Sequence, residues 1–159
     1  MQNQSLFSEH RGEAQEVAAL RPGSLGMPAV EAESWVRRFA EAWSVPSPQA
    51  LSALVGTDAE HCYPGMTVAA NREGVHSYFV GVLQLFPDLR LQVLAWAATG
   101  NIVFIEWAAQ ATVNGRPLCW QGADVFRIAG AHTTQGRAYY DTAPIQQALG
   151  VAAAAPGHS

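Results

Sequence analysis

The sequence predicts an α+β domain, with helices packed on one face of a bent, mostly antiparallel sheet. Three observations predict it. Apolar residues recur at helical spacing through the first half of the chain. Strand-like alternation fills the second half. Asn114-Gly115 sits between two alternating runs, where that pair is a strong hairpin signal. At 159 residues the chain is long enough for one domain with one substantial core.

Residues 1–27 are polar and interrupted by Gly and Pro, so a flexible leader is expected there. The domain is expected over 28–150, opening with Pro28 in the first turn of a helix. From Ala29 to Trp43 the apolar positions Ala32, Trp35, Val36, Phe39, Ala40 and Trp43 form one stripe. Ser47-Pro48 starts a short second helix through Leu54, with Ser47 as N-cap and Gly56 as its end. DAEHCYPGM then gives a short strand, and His61 and Tyr63, two apart, share a face. A third helix begins at Asn71 or Arg72, carries Val75, Tyr78, Phe79, Val82, Leu83 and Phe86, and is closed by Pro87. Strands follow over 88–98, 102–113 and 116–128. A loop, AGAHTTQ, leads to a last strand over 136–141. Asp141 caps a final helix, from Thr142 to about Leu149, with Pro144 in its first turn. A small, featureless tail is expected over 151–159, and the chain has no internal repeat.

Composition narrows the function classes. Hydrophobic residues make up 49% and charged residues 14%. All nine basic residues are Arg, the net charge is −4, and no basic cluster exists, which argues against nucleic acid as a partner. No apolar run reaches the ~18 residues of a membrane span, and the first residues lack the pattern of a secretory signal. Cys62 and Cys119 form neither a disulfide framework nor a zinc pattern, and His10, His76 and His132 have no metal-ligand spacing. No phosphate loop, dinucleotide fingerprint or nucleophile elbow is present. The expectation is a reduced, cytoplasmic protein whose chemistry, if it has any, needs no metal or organic cofactor.

The stretch Leu118–Asp141 carries the most chemistry. Alternation puts Trp120, Gly122, Asp124, Phe126 and Ile128 on one strand face. A carboxylate among large apolar side chains is unfavourable unless it is paired or used. Asp124 is therefore either a hydrogen-bonded Asp at a sheet rim or an acid or base in an apolar pocket.

FPDLRLQV after the third helix, DVFRI in the long strand and YYD before the last helix resemble the nuclear transport factor 2-like superfamily. Within it the chain is most similar to the SnoaL-like polyketide cyclases, over roughly residues 30 to 149. Ketosteroid isomerase and limonene epoxide hydrolase are more distant relatives. The resemblance implies a cone: a curved sheet wrapped around three N-terminal helices, enclosing one deep apolar pocket. It also maps roles. The isomerase's proton-donating acid falls on Asp124, its general base on Tyr63 and its tyrosine donor on Phe39, which lacks a hydroxyl. The epoxide hydrolase's Asp–Arg–Asp set falls on Trp107, Ala109 and Ala138, so it is absent. That enzyme's water ligands fall on His61 and Tyr63, which remain polar.

Asp124, His61 and Tyr63 are thus the candidate catalytic residues, and Phe39, Trp43, Tyr78, Trp107, Trp120 and Phe126 the candidate substrate-binding wall. A buried Asp124 would have a raised pKa and act as an acid, or a nearby His61 could hold it ionised. Tyr63 could donate to a carbonyl, enolate or epoxide oxygen. Each also has a plain structural reading: a hydrogen-bonded edge histidine, a wall tyrosine, ordinary core aromatics. Two functions fit. One is a cofactor-free cyclase or isomerase acting on a hydrophobic, polyketide-like intermediate by enolate chemistry or epoxide opening. The other is a non-catalytic module that binds a hydrophobic ligand or a partner chain. Ile102, Phe104 and Ala108 lie opposite Val103, Ile105 and Trp107, so the strands are apolar on both faces. That pattern predicts a homodimer through the outer face.

Overall fold

A computed structural model of the chain describes residues 29–150, with side chains from residue 31. The expected leader and tail lie outside the described residues. Helix α1, Ala29–Ser44, is followed by a short α2, Pro48–Ser52, and by strand β1, Val55–Cys62. Helix α3 spans Arg72–Leu85. Strands β2 (Arg90–Thr99), β3 (Ile102–Val113), β4 (Arg116–Ala129) and β5 (His132–Tyr140) lead to a last short helix α4, Ala143–Ala148.

Ser47 and Asp141 cap as expected, and Asn71, one of the two residues expected to begin the third helix, is its N-cap. Ser47 accepts a hydrogen bond from Ala50 N at 3.1 Å, and Asn71 accepts one from Gly74 N at 2.9 Å. Asp141 accepts from Ala143 N at 2.9 Å and so holds the start of α4. Asn114 and Gly115 both have positive φ, 51° and 74°, the backbone that a two-residue hairpin needs to match the twist of its strands.

The five strands form one sheet in the order β1-β5-β4-β3-β2. Only the β1–β5 pair is parallel; the other three are antiparallel. Pairing shifts register between Val93 and Ala95 and between Arg127 and Ile128, and such bulges bend a sheet. The concave face buries Val103, Ile105, Trp107, Phe126 and Ile128 against Ala32, Trp35, Phe39 and Trp43 of α1 and Val75 and Phe79 of α3.

Two boundaries differ from expectation. β5 starts at His132, not at 136, because His132 and Thr133 already pair with β4 and Thr133 N donates to Leu54 O at 2.9 Å. The turn before it is tight, and Arg38 Nη1 holds it by donating to Ala131 O at 2.8 Å. Likewise Gly56 belongs to β1 and does not end α2: Val55 pairs with Thr133, and the backbones lie so close that a Cβ on Gly56 would sit 2.7 Å from Thr133 O.

Candidate functional site

The interior is divided into two chambers. The larger, about 340 Å³, lies between the C-terminal half of α3, the inner faces of β3 to β5, and α4. Its exposed lining residues, Leu85, Gln146 and Leu149, mark the mouth. The smaller, about 30 Å³, is large enough for a water molecule or two and lies deeper, under α1 and beside β1. Asp124, Tyr63, Trp43 and Phe79 line both and form the waist between them.

Strand parity places the candidates. On β4 the side chains of Trp120, Asp124 and Phe126 all point inward. Phe126 stands two residues beyond Asp124, about 7 Å along the strand, and so lines only the deep chamber, as do Phe39 and His61. Phe39 packs on Trp35, Trp43 and Phe126 at centroid distances of 5.7, 6.3 and 5.6 Å. Tyr78, Trp107 and Trp120 line only the large chamber. Tyr63 stacks parallel on Tyr78 at 4.4 Å. The structure thus brings Asp124 and Tyr63 together at the waist, with Tyr78, Trp107 and Trp120 around the outer space. His61 stands behind Tyr63.

Asp124 is 7% exposed, and its Oδ1 has no hydrogen-bond partner among the described residues. Burial pushes its carboxyl up to about 7, and the Trp107 indole beside it holds it back in part. The approach of that indole stops short of a formed bond, since Trp107 Nε1 is also unpartnered. Trp107 can lie there because β4 has Gly122 opposite: a Cβ at that position would meet the indole at 2.5 Å. Burial also raises the Tyr63 phenol well above its ordinary 10, helped by the Asp124 charge. Tyr78 and Tyr140 are raised in the same way, and their hydroxyls neighbour one another and Asp124. All three tyrosines are therefore neutral hydrogen-bond donors at physiological pH.

His61 is 2% exposed and belongs to a hydrogen-bonded line. Its Nε2 is 2.7 Å from Thr133 Oγ1, and its Nδ1 is 3.4 Å from the Tyr63 hydroxyl. Burial lowers its pKa to about 4, so it is neutral at physiological pH. A neutral imidazole does not supply the charge that would hold Asp124 ionised. The ring lies flat on β5 because residue 136 is Gly; a Cβ there would come within 2.5 to 2.9 Å of the ring atoms.

Sequence reasoning missed Tyr140 and Thr133. Tyr140 packs edge-on against Trp107 at 5.6 Å and pairs with Gly122. Its inward parity was available in GRAYYD, where Tyr139 points out. Thr133 was hidden by reading AGAHTTQ as a loop. Among the described residues no group of three His, Cys, Asp or Glu could hold a metal ion, and no helix is long and apolar enough to cross a membrane.

Comparison with known proteins fits this geometry. None of the curated proteins matches the chain closely enough to count as a relative. Many solved structures share the fold, among them the following three. IdmH, a candidate polyketide cyclase from Streptomyces antibioticus, is 20% identical with a TM-score of 0.67, covering 76% of this chain and 99% of its own. AclR, a candidate hydroxylase from Streptomyces galilaeus, is 18% identical with a TM-score of 0.66, covering 76% and 96%. A ketosteroid isomerase-like protein from Catenulispora acidiphila is 20% identical with a TM-score of 0.66, covering 74% and 93%. At these identities the likeness speaks for the fold. The SnoaL-like domain model matches residues 36–135, and the chain belongs to that family.

Proposed function

We propose that this protein is an acid/base enzyme, a cyclase or isomerase that works without metal or organic cofactor on a neutral, hydrophobic, polyketide-like intermediate. One observation carries the reading: Asp124 sits at the waist of the apolar cavity, unpartnered at Oδ1 and with a pKa pushed up to about 7. A carboxyl poised near the working pH is present in both the acid and the base form. Among the described residues that line the large chamber there is no Arg, Lys or His to pair with a substrate's phosphate or carboxylate. The description of IdmH as a candidate polyketide cyclase supports the substrate class by analogy.

In enolate chemistry, ionised Asp124 takes a proton from the carbon next to a carbonyl, and the Tyr63 hydroxyl donates to the oxygen as charge develops there. The proton on Asp124 then returns to another carbon, or to the oxygen formed when the enolate carbon closes a ring. In epoxide opening, protonated Asp124 gives its proton to the epoxide oxygen as the C–O bond breaks and an internal hydroxyl attacks; the proton which that hydroxyl releases returns to the Asp124 carboxylate. The apolar walls exclude water that would compete. Trp107 and Trp120 supply faces for a flat substrate. The protein is taken to act in the cytoplasm as a homodimer.

The test is a panel of neutral, two- and three-ring polyketones and hydroxy-epoxides followed by mass spectrometry, which separates loss of water from mass-neutral rearrangement. Asp124→Asn is expected to lower turnover by roughly a hundredfold or more with little change in affinity. Tyr63→Phe is expected to lower it by about tenfold to a thousandfold, and the two losses together should be less than additive. Unchanged turnover in Asp124→Asn together with a dead His61→Ala would give His61 the leading role. The second reading, a non-catalytic binder of hydrophobic ligands or of a partner chain, draws on Asp124 being the single carboxyl among the described residues that line the large chamber. Tight binding of panel members with no conversion by the parent protein would favour it.

A further inference from the structure

We infer that Thr133 is a positioning residue for Tyr63: its hydroxyl donates to His61 Nε2, which keeps the imidazole proton on Nδ1 and leaves the Tyr63 hydroxyl proton directed into the cavity.

The polarity of the line follows from its distances. Thr133 has one hydroxyl proton and two acceptors within reach, His61 Nε2 at 2.7 Å and Leu54 O at 3.5 Å. The hydroxyl proton goes to the nearer acceptor: 2.7 Å is the usual length of a hydroxyl hydrogen bond and the short limit for an N–H donor, about 2.7–3.2 Å. The short contact is therefore O–H to nitrogen. The long contact to Leu54 O is the weaker claim, because that carbonyl already accepts from Thr133 N at 2.9 Å.

With Nε2 accepting, a neutral imidazole must carry its proton on Nδ1. Nδ1 faces the Tyr63 hydroxyl at 3.4 Å and so donates to its oxygen. Tyr63 then has its own proton free for the cavity it shares with Asp124. In the opposite polarity Nδ1 would accept, and the Tyr63 proton would turn away from any substrate oxygen.

The frame holding this line is rigid. Thr133 is 1% exposed. His61 N donates to Ala70 O at 2.9 Å, and Ala70 N donates to His61 O at 2.7 Å. The ring rests on Gly136, where a Cβ would collide with it. Burial also keeps the imidazole neutral, which is the condition for a single tautomer to matter. The consequence for catalysis rests on the proposed role of Tyr63; the tautomer does not.

The experiment is a ¹⁵N spectrum of the full chain labelled at the histidine ring nitrogens, near pH 7. His61 is assigned by the signals lost in His61→Gln. The expected result for the parent is a protonated, pyrrole-type Nδ1 and a bare, pyridine-type Nε2, with the other tautomer roughly tenfold less populated, the scale of one hydrogen bond. Thr133→Val should shift the protonation toward Nε2, and Thr133→Ser should restore the parent pattern. Tyr63→Phe should leave the parent pattern in place. A parent spectrum with Nε2 protonated overturns the proposal outright. So does a Tyr63→Phe spectrum in which the tautomer flips, because Tyr63 would then set it. Should Thr133→Val not fold, the parent, Thr133→Ser and Tyr63→Phe spectra still decide. The expected spectra from a parent that converts no panel substrate would leave the tautomer assignment standing and count against the enzymatic reading alone.

Discussion

Burial acts on Asp124 and His61 in opposite directions, and the consequence is a pair of linked pH effects. An ordinary Asp titrates near 3.8, while folded Asp124 keeps its proton up to about 7. Between those values the folded state holds a proton that the unfolded state has lost, so stability falls as pH rises. For His61 the unfolded chain is protonated below 6.5 and the folded chain only near 4. There the unfolded state holds the extra proton, and stability is lost as pH falls through that window. At full extent the effects are roughly 4 kcal/mol for Asp124 and roughly 3 kcal/mol for His61. In the parent they oppose one another over most of pH 4 to 6.5, so its profile should be nearly flat there. Removing either group exposes the other. His61→Gln should lose stability steadily from pH 4 to 7, whereas Asp124→Asn should gain it from pH 4 to 6.5. Urea midpoints across this range provide the check, and three superimposable profiles would refute the assignment. At this scale the sequence was partly legible. Asp124 could be found because inward parity and apolar neighbours are local properties of β4. The isolation of His61 from the large chamber could not, since it depends on where Tyr63, two residues further on, stands between them. Thr133 and Tyr140 acquire their roles only when β5 is laid against β1 and β4.

Elements in this chain are held by small residues as much as by large ones. Gly136 lets the His61 ring lie on β5, and an added methyl would stand 2.5 Å from it. Gly136→Ala should therefore displace the ring, break its bond to Thr133 and lower stability by about 1–3 kcal/mol, the usual scale of overpacking. Gly81, exposed in the middle of α3, is the contrast: a Cβ there meets nothing within 4 Å. Gly81→Ala should stabilise the protein by about 0.5–1 kcal/mol through helix propensity alone. Thermal or chemical denaturation of the two variants gives opposite signs if the packing is as described; equal signs would not fit it. The helices were legible because period and caps agree, as at Asn71 with Gly74 N and at Ser47 with Ala50 N. The starts of β1 and β5 were not. Gly56 and the Gly130 turn look like breaks in the sequence, and what makes their neighbours strand is pairing between segments some 75 residues apart, Val55 with Thr133.

On the scale of the whole molecule, the two faces of the sheet are left with different needs. The concave face is covered by α1 and α3. The convex face carries Phe104, 44% exposed, and the pairing sets Ala97 and Val125 on either side of it. Tyr139, 55% exposed, lies on the same face, two strands from Glu106 across Ala123. An apolar strip of this kind is suited to a second copy of the chain, which supports the homodimer expected from strands that are apolar on both sides. The polar rim, Glu106, Arg127 and Arg137, would limit and orient the contact. Phe104→Arg puts a charge at the centre of the strip without touching the cavity, which opens on the opposite side of the sheet. Sedimentation at micromolar concentration should give a parent of twice the mass of the variant. The variant should keep the parent's cavity: its His61 ¹⁵N pattern should be unchanged, because Thr133, His61 and Tyr63 all lie on the concave side. A parent of single-chain mass would remove the dimer, and a variant that stays at twice that mass would remove this face as its interface. A monomeric variant with an altered His61 pattern would instead show that the second copy helps to set the curvature on which both chambers depend.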